Sequence, residues 1–320
     1  MNAVNLKMEP IHKYIGMPKK KKTPTNAPDI VVGKRYKLSG RLGKGSFGDV
    51  FKCIDLLTGK AYAIKMENRR TNTHSQLDYE RRIYRELKGG VGVPNIHWFG
   101  AEGDFNCLVM DLLGESVQQI FERSKRNLSL KHICIIGIKT LDRLKYLHAR
   151  GFVHRDIKPQ NLVLGRMDET PPDTELYLID FGLSKRFRDP RTRQHVKYRN
   201  DKSLTGTPRY ASVHTMDGCE QARRDDLESL MYVLIYLHRG KLPWQGDKTH
   251  KGEGKEARNH RILDMKMRTS VADLCTGCPP EFEALLHEIR QLRFEEEPDY
   301  GRLHAHLLDL YTRLDLKKKK

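Results

Sequence analysis

The stretch that decides the fold is His154-Arg-Asp-Ile-Lys-Pro-Gln-Asn161, followed by Asp180-Phe-Gly182. It sets a carboxylate (Asp156), an amine (Lys158) and an amide (Asn161) at fixed spacing on one short loop, with a second carboxylate (Asp180) downstream. The charged and amide residues alternate with apolar and proline positions, which a solvated charge run would not do. This set suits holding a nucleotide-bound cation beside a hydroxyl group. In that chemistry Asp156 accepts or orients the hydroxyl proton, Lys158 neutralises the group in flight, and Asn161 and Asp180 hold Mg2+. Such a transfer needs position and charge more than covalent help, so the spacing carries the signal.

Two motifs upstream complete the set. Leu42-Gly-Lys-Gly-Ser-Phe-Gly-Asp-Val50 is a glycine loop. Its glycines let backbone N–H groups approach phosphate closely. A dinucleotide fingerprint needs a helix after such a loop, whereas a strand pattern follows here, over 49–54. Next, Ala61-Tyr-Ala-Ile-Lys65 puts a lysine at the end of an apolar strand. A cation there is costly unless paired. Its expected partners are ATP phosphates and Glu80, early in a helix expected over 75–87. Glu67 is too close in sequence to fold back, and Glu86 is the second choice.

The rest of the chain sets bounds. Charged residues make up 31% of the 320, and the net charge is +18. No apolar run is long enough to cross a membrane, and no signal peptide is expected. Six scattered cysteines fit reduced thiols, and the single Cys275-Thr-Gly-Cys278 has no second pair beside it for zinc. Residues 1–30 hold six lysines against one Glu and one Asp. They are expected to form a disordered basic arm. Pro18-Lys-Lys-Lys-Lys-Thr23 has nuclear-import composition, although a solvated tail reads the same way. Lys317–Lys320 form a lysine tail. Strand patterns fill 36–65 and Cys107–Leu113. Helical spacing appears in Ser129–Leu147 (Ile133, Ile136, Leu141, Leu144) and recurs at 223–238, 260–268, 280–293 and 301–314. A β-rich first third thus leads into an α-rich remainder.

Taken together these motifs resemble a eukaryotic protein kinase over about 36–312, and Lys158 two positions after Asp156 resembles the serine/threonine class. Finer wording resembles the casein kinase 1 family: Gly89-Gly-Val-Gly-Val-Pro94, Gly100-Ala-Glu-Gly-Asp104, Leu204-Thr-Gly-Thr-Pro-Arg-Tyr-Ala-Ser212, Arg223-Arg-Asp-Asp-Leu-Glu-Ser-Leu230 and Leu242-Pro-Trp-Gln-Gly246. Ala211-Ser-Val-His214 stands where most kinases carry Ala-Pro-Glu, a replacement usual in this family.

The resemblance implies an α+β bilobal fold. A small lobe, about 31–112, would carry a five-stranded antiparallel sheet and one main helix. A hinge at 111–116 would lead to a mainly helical lobe at about 116–316. ATP is expected between the lobes, its phosphates under Leu42, Gly43, Lys44, Gly45, Ser46, Phe47 and Gly48. Its adenine would lie against Val50, Ala63, Met110, Leu113, Val163 and Ile179, with the backbone at Asp111–Leu113 bonding the base. Asp226 would brace the catalytic loop from a buried helix.

The implied activity is transfer of the ATP γ-phosphate to Ser or Thr in acidic or already phosphorylated proteins. One anion pocket maps to Arg209, Gln245, Gly246 and either Lys255 or Arg258. A second maps to Arg155, Lys185 and Lys202. Activity is expected without activation-loop phosphorylation, and the family's long regulatory tail is expected to be missing. Departures from the family are Gly114-Glu-Ser116 for Gly-Pro-Ser, Pro208 in the substrate-facing loop, and Val163 for a larger leucine. The protein is expected to be a cytosolic or nuclear monomer, with nucleic acid as a secondary partner. The other readings are a pseudokinase scaffold, which would normally have lost Lys65, Asp156, Asn161 or Asp180, and a basic chromatin-associated protein, for which no aromatic-interleaved basic motif is present.

Overall fold

A computed structural model of the chain describes residues 30–45, 48–70, 75–166, 168, 174–245 and 252–318. The lysine arm, Ser46, Phe47, Gly246, Lys319 and Lys320 lie outside the described residues. The chain forms two compact units. Among the described residues one unit gathers 30–115 with 163–184, and the other gathers 116–162 with 185–318.

The first unit is built on a six-stranded antiparallel sheet: β1 (Val31–Val32), β2 (Tyr36–Gly45), β3 (Gly48–Asp55), β4 (Ala61–Asn68), β5 (Ile96–Glu102) and β6 (Phe105–Asp111), in the order β1-β2-β3-β4-β6-β5. The sixth strand corrects the expected five. β1 is two residues long, too short to show alternation, and is joined to β2 by the Leu38 N–H donating to Ile30 O at 2.9 Å. Alternation along β4 separates the faces. Ile64 and Met66 join Val32, Tyr36, Leu38, Cys53, Cys107 and Val109 in an apolar cluster. Ala63, Lys65 and Glu67 therefore point to the opposite face.

Helix α1 (Gln76–Glu86) starts at Ser75, whose hydroxyl accepts from the Asp78 N–H. Glu67 fixes this start: it accepts from Ser75 Oγ at 2.7 Å and from the Gln76 N–H at 2.9 Å. β8 (Leu162–Leu164) and β9 (Leu176–Leu178) form a two-stranded ribbon that leads to a 3-10 turn at Phe181–Leu183. Gln76 donates to Gly182 O, Tyr79 Oη donates to Ser184 O at 2.8 Å, and the Tyr84 ring meets Phe181 edge-on at 5.0 Å. So α1 is tied both to the sheet and to the turn after Asp180.

The second unit is helical. α3 (Leu130–Ala149) packs on α5 (Arg223–Arg239) and α9 (Tyr300–Lys318). At Gly137 a Cβ would meet the Leu234 and Leu307 side chains at 3.0 Å, so this helix interior has a glycine because its neighbours come close. α2 (Val117–Arg123), α4 (Val213–Met216), α6 (Lys255–Arg268), α7 (Val271–Leu274) and α8 (Pro280–Gln291) surround that core. β7 (Phe152–Val153) pairs with β10 (Lys185–Arg186) beside it. None of the helices is long and apolar enough to cross a membrane, among the described residues.

One buried cation ties α6 to the segment before α4. Lys266 is 1% exposed, donates to Pro208 O at 2.8 Å and to Ala211 O, and lies 4.8 and 4.9 Å from the Tyr232 and Trp244 ring centroids. Burial pushes its ammonium down to about 7, against the pull of Glu228 and with a smaller push from Arg290. The unfolded chain keeps that proton up to the ordinary 10.5, whereas the native protein releases it above about 7. Between those values the unfolded state binds more protons, so Lys266 makes stability rise with pH. Urea unfolding of wild type and Lys266→Met across about pH 8 to 10 should diverge in favour of wild type, by at most ~1.4 kcal/mol per pH unit. Parallel profiles would show that Lys266 does not titrate in that window.

Candidate active site

The residues expected to meet the nucleotide lie in the sheet unit, and strand register places them. Val50 is opposite Lys65 across β3 and β4, and Ala63 is opposite Met110 across β4 and β6. Ala63 and Lys65 are two residues apart, so Val50, Ala63, Lys65 and Met110 share one sheet face. Ala63 and Val163 are buried, Val50, Met110, Asp111, Leu113 and Ile179 are half-buried, and Leu42 is exposed. The glycine loop is a β2–β3 hairpin with Gly45 opposite Gly48 and Lys44 opposite Asp49. A Cβ at Gly48 would overlap the Met66 carbonyl oxygen, so this position must be glycine for the hairpin to lie against β4.

Lys65 is 5% exposed. Its Nζ donates to Glu80 Oε2 at 2.7 Å and to Asp180 Oδ1 at 2.8 Å. Burial alone would push the ammonium down, but the two carboxylates outweigh it and hold Lys65 above its ordinary value. Burial pushes the Glu80 carboxyl up against the pull of Lys65. Glu86 is exposed at the far end of α1. Asp180 adopts a left-handed backbone, φ 67°, and its N–H donates to Tyr84 Oη at 3.3 Å. A non-glycine residue held there is strained, and the α1 contacts hold it.

The His154–Asn161 loop belongs to the helical unit. Asp156 is 5% exposed and its carboxylate is surrounded by donors. Lys158 Nζ lies 2.5 Å from Oδ2. Thr207 donates to Oδ1 from its hydroxyl at 2.7 Å and from its N–H at 3.0 Å. Asn161 Nδ2 donates to the Asp156 carbonyl at 2.9 Å. Gly206 has φ +97° and would place a Cβ inside the Arg155 carbonyl oxygen, so the approach of Thr207 to Asp156 depends on that glycine.

From behind the loop Asp226, 2% exposed, accepts from the His154 N–H at 2.7 Å and the Arg155 N–H at 2.9 Å. Burial would raise its carboxyl, but His148 and then His154 hold it below the ordinary value. Burial pushes the His148 imidazole down, against the pull of Asp226. A neutral ring then donates from Nε2 to Asp226, 2.9 Å away, and accepts from Tyr300 Oη at Nδ1. Arg155, like Asp180, has a left-handed backbone, φ 68°.

The basic residues separate into two places. Arg155, Lys185 and Lys202 line one cavity of about 270 Å³. It also contains Glu220, 4% exposed, which lies 2.8 Å from Lys185 Nζ and 3.7 Å from Lys202 Nζ. Arg209 lies against Tyr210 and Tyr236, with its carbonyl accepting from Trp244 Nε1 at 2.8 Å. Gln245 spends its side-chain oxygen on the Leu242 N–H at 2.6 Å. Lys255 and Arg258 are exposed on the first turn of α6.

The sequence reading missed Thr207 and Glu220, whose partners are far off in the chain. It also missed Lys266, which a lysine buried between two methionines does not announce. Burial pushes the Cys275 and Cys278 thiols up to about 12 and about 11, which disfavours the reactive thiolate. Among the described residues no group of three or more His, Cys, Asp or Glu side chains could hold a metal.

Residues 36–300 match the family described as protein kinase domain. The chain belongs to that family. It is an ATP-binding kinase, transferring a phosphoryl group to protein.

The buried triad makes a clear demand on stability. Lys65→Met leaves Glu80 and Asp180 facing each other without a cation and should cost roughly 3–5 kcal/mol in denaturant unfolding. Lys65→Met combined with Glu80→Leu should recover part of that loss, since one stranded carboxylate is removed. Equal stability of Lys65→Met and wild type would mean that the triad is not formed in solution.

Proposed function

We propose that the chain is a serine/threonine kinase of the casein kinase 1 type, using ATP and Mg2+ and acting on acidic or already phosphorylated proteins. The observation that carries the serine/threonine reading is Lys158, two residues after Asp156, with its Nζ at the Asp156 carboxylate. Thr207 bonds the other carboxylate oxygen from the segment whose wording resembles the casein kinase 1 family.

Two side chains, one in each unit, have the chemistry to hold the cation: the Asp180 carboxylate, and the amide oxygen of Asn161, whose Nδ2 donates to Asp156 O. When bound, Mg2+ neutralises charge on the β- and γ-phosphates. Lys65, fixed by Glu80, takes the α- and β-phosphates. The loop backbone at Gly43, Gly45 and Gly48 covers the phosphates. Asp156 takes the hydroxyl proton as the Ser or Thr oxygen bonds to phosphorus and the bond to the ADP oxygen breaks. Lys158 balances charge on the moving phosphoryl group.

The basic cavity at Arg155, Lys185 and Lys202 supports the substrate class. Lysine and arginine donors collected in one concavity suit a phosphate, and the +18 charge of the chain draws acidic partners towards it. Arg209, Gln245, Lys255 and Arg258 form the second candidate subsite. The six free thiols fit a cytosolic or nuclear setting.

Asp156→Asn should lower transfer by about 10²–10⁴-fold while leaving ATP affinity nearly unchanged, measured by peptide phosphorylation and by nucleotide titration. On a peptide library, dephosphorylated enzyme should prefer phosphoserine or acidic residues three positions before the target. A preference for basic residues there would overturn the substrate class, and an equal rate for Asp156→Asn would overturn the mechanism.

A further inference from the structure

A third basic cavity, separate from both of those sites, lies in the helical unit. It measures about 520 Å³ and is lined by Arg188, Arg193, His195 and Arg223, together with Glu295 and Glu297. Phe187 is its organising side chain. Arg223 lies 4.9 Å and Arg188 5.4 Å from the Phe187 ring centroid, and the His195 ring is 5.2 Å away. The loop that carries Arg193 is fixed: Asp189 accepts from the N–H groups of Arg191 and Thr192 at 2.8 Å, and a strand-like bridge joins Arg188 to His195.

Positive charge here exceeds what the protein supplies to balance it. Arg223 is 6% exposed. It donates to Glu295 O at 2.5 Å, and its one carboxylate contact among the described residues is Glu297 at 3.6 Å, itself 74% exposed. Arg188 donates to the Ala149 carbonyl at 2.8 Å. Among the described residues, Arg188 Nε, Arg223 Nε and His195 Nε2 are buried without a hydrogen-bond partner. Burial, followed by Arg193 and Arg223, pushes the Arg188 guanidinium down, so these cations are crowded enough to oppose one another.

We propose that this cavity binds a phosphate monoester group. Arginines are the side chains that grip a tetrahedral oxyanion with paired N–H donors. Three guanidinium groups outnumber the two carboxylates of the lining, Glu295 and Glu297, both exposed, and a dianion offsets the remaining repulsion. The volume exceeds what one ion fills and falls in the range of small-molecule sites, so it admits the group to which the phosphate is attached. Two sources share this chemistry, a phosphorylated side chain and free phosphate.

The local probe is the His195 ring resonance of the full-length protein, assigned by its loss in His195→Gln. Inorganic phosphate and O-phosphoserine are titrated separately, with sodium chloride at matched ionic strength as the control. A saturable shift with either phosphate compound, and none with chloride, is expected. Tighter binding of phosphoserine assigns the site to a phosphorylated side chain, and equal binding assigns it to the phosphate group alone. Arg193→Gln, at an exposed position, should weaken the affinity about tenfold by removing one charge-assisted contact, and Arg193→Lys should restore part of it. The proposal is overturned if chloride shifts the resonance as phosphate does, if no saturable shift occurs, or if Arg193→Gln binds as wild type does.

Discussion

An ammonium group on an interior strand is tolerated only where opposite charge meets it at hydrogen-bond distance. Lys65 sits on β4, and two carboxylates reach it from different parts of the chain. Glu80 comes from α1, and Asp180 from a segment more than a hundred residues later. To bring them in, α1 must lie on the Ala63–Lys65–Glu67 face of the sheet and the 3-10 turn must lie on α1. The contacts that achieve this are not charged: Tyr84 packs on Phe181, and Tyr79 and Gln76 bond the turn's carbonyls. The triad is thus the electrostatic consequence of a packing arrangement, and its cost is met by polar groups that already face inwards.

The helical unit solves a related problem with one carboxylate. A loop that presents Asp156, Lys158 and Asn161 together cannot be a helix or a strand, so its backbone N–H groups lack regular partners. Asp226, on the first turn of α5, accepts two of them. The left-handed Arg155 is held from the same side, since its N–H is one of the pair. Asp226 is itself oriented by His148, and His148 by Tyr300. Arg155 and Asp180 both keep left-handed backbones, as expected where a rigid surrounding over-determines the backbone.

How much of this was legible depended on how far each signal ran along the chain. The fifteen-residue spacing from Lys65 to Glu80 and the 3.6-residue periodicity of α3, α5, α8 and α9 lie within one or two elements, so residue pattern alone names them. β1, α2, α4 and α7 are too short to establish a period. The grouping of 163–184 with the sheet has no local mark, because β8 and β9 are three-residue strands whose neighbours are set by tertiary packing. Thr207 reaches Asp156 across fifty-one residues. Such a pair leaves no trace in either local sequence, and only the wording of the segment around Gly206 pointed there. Lys266 reads as a solvent residue on an amphipathic helix. Its burial depends on Tyr232 and Trp244, two rings contributed by other segments.

Glu220 changes how the Arg155–Lys185–Lys202 cavity should be understood. Three cations alone would attract any anion, and chloride or a carboxylate side chain would occupy such a place. With Glu220 bonded to Lys185 through both of its oxygens, the cavity is partly neutralised from within. An entering anion must then compete with a carboxylate that is already buried and correctly placed. A singly charged carboxylate exchanges one like group for another and gains little. A phosphate brings a second charge and a third oxygen to that competition. On the proposed anion-binding role, the internal acid would act against weak anions more than against phosphate.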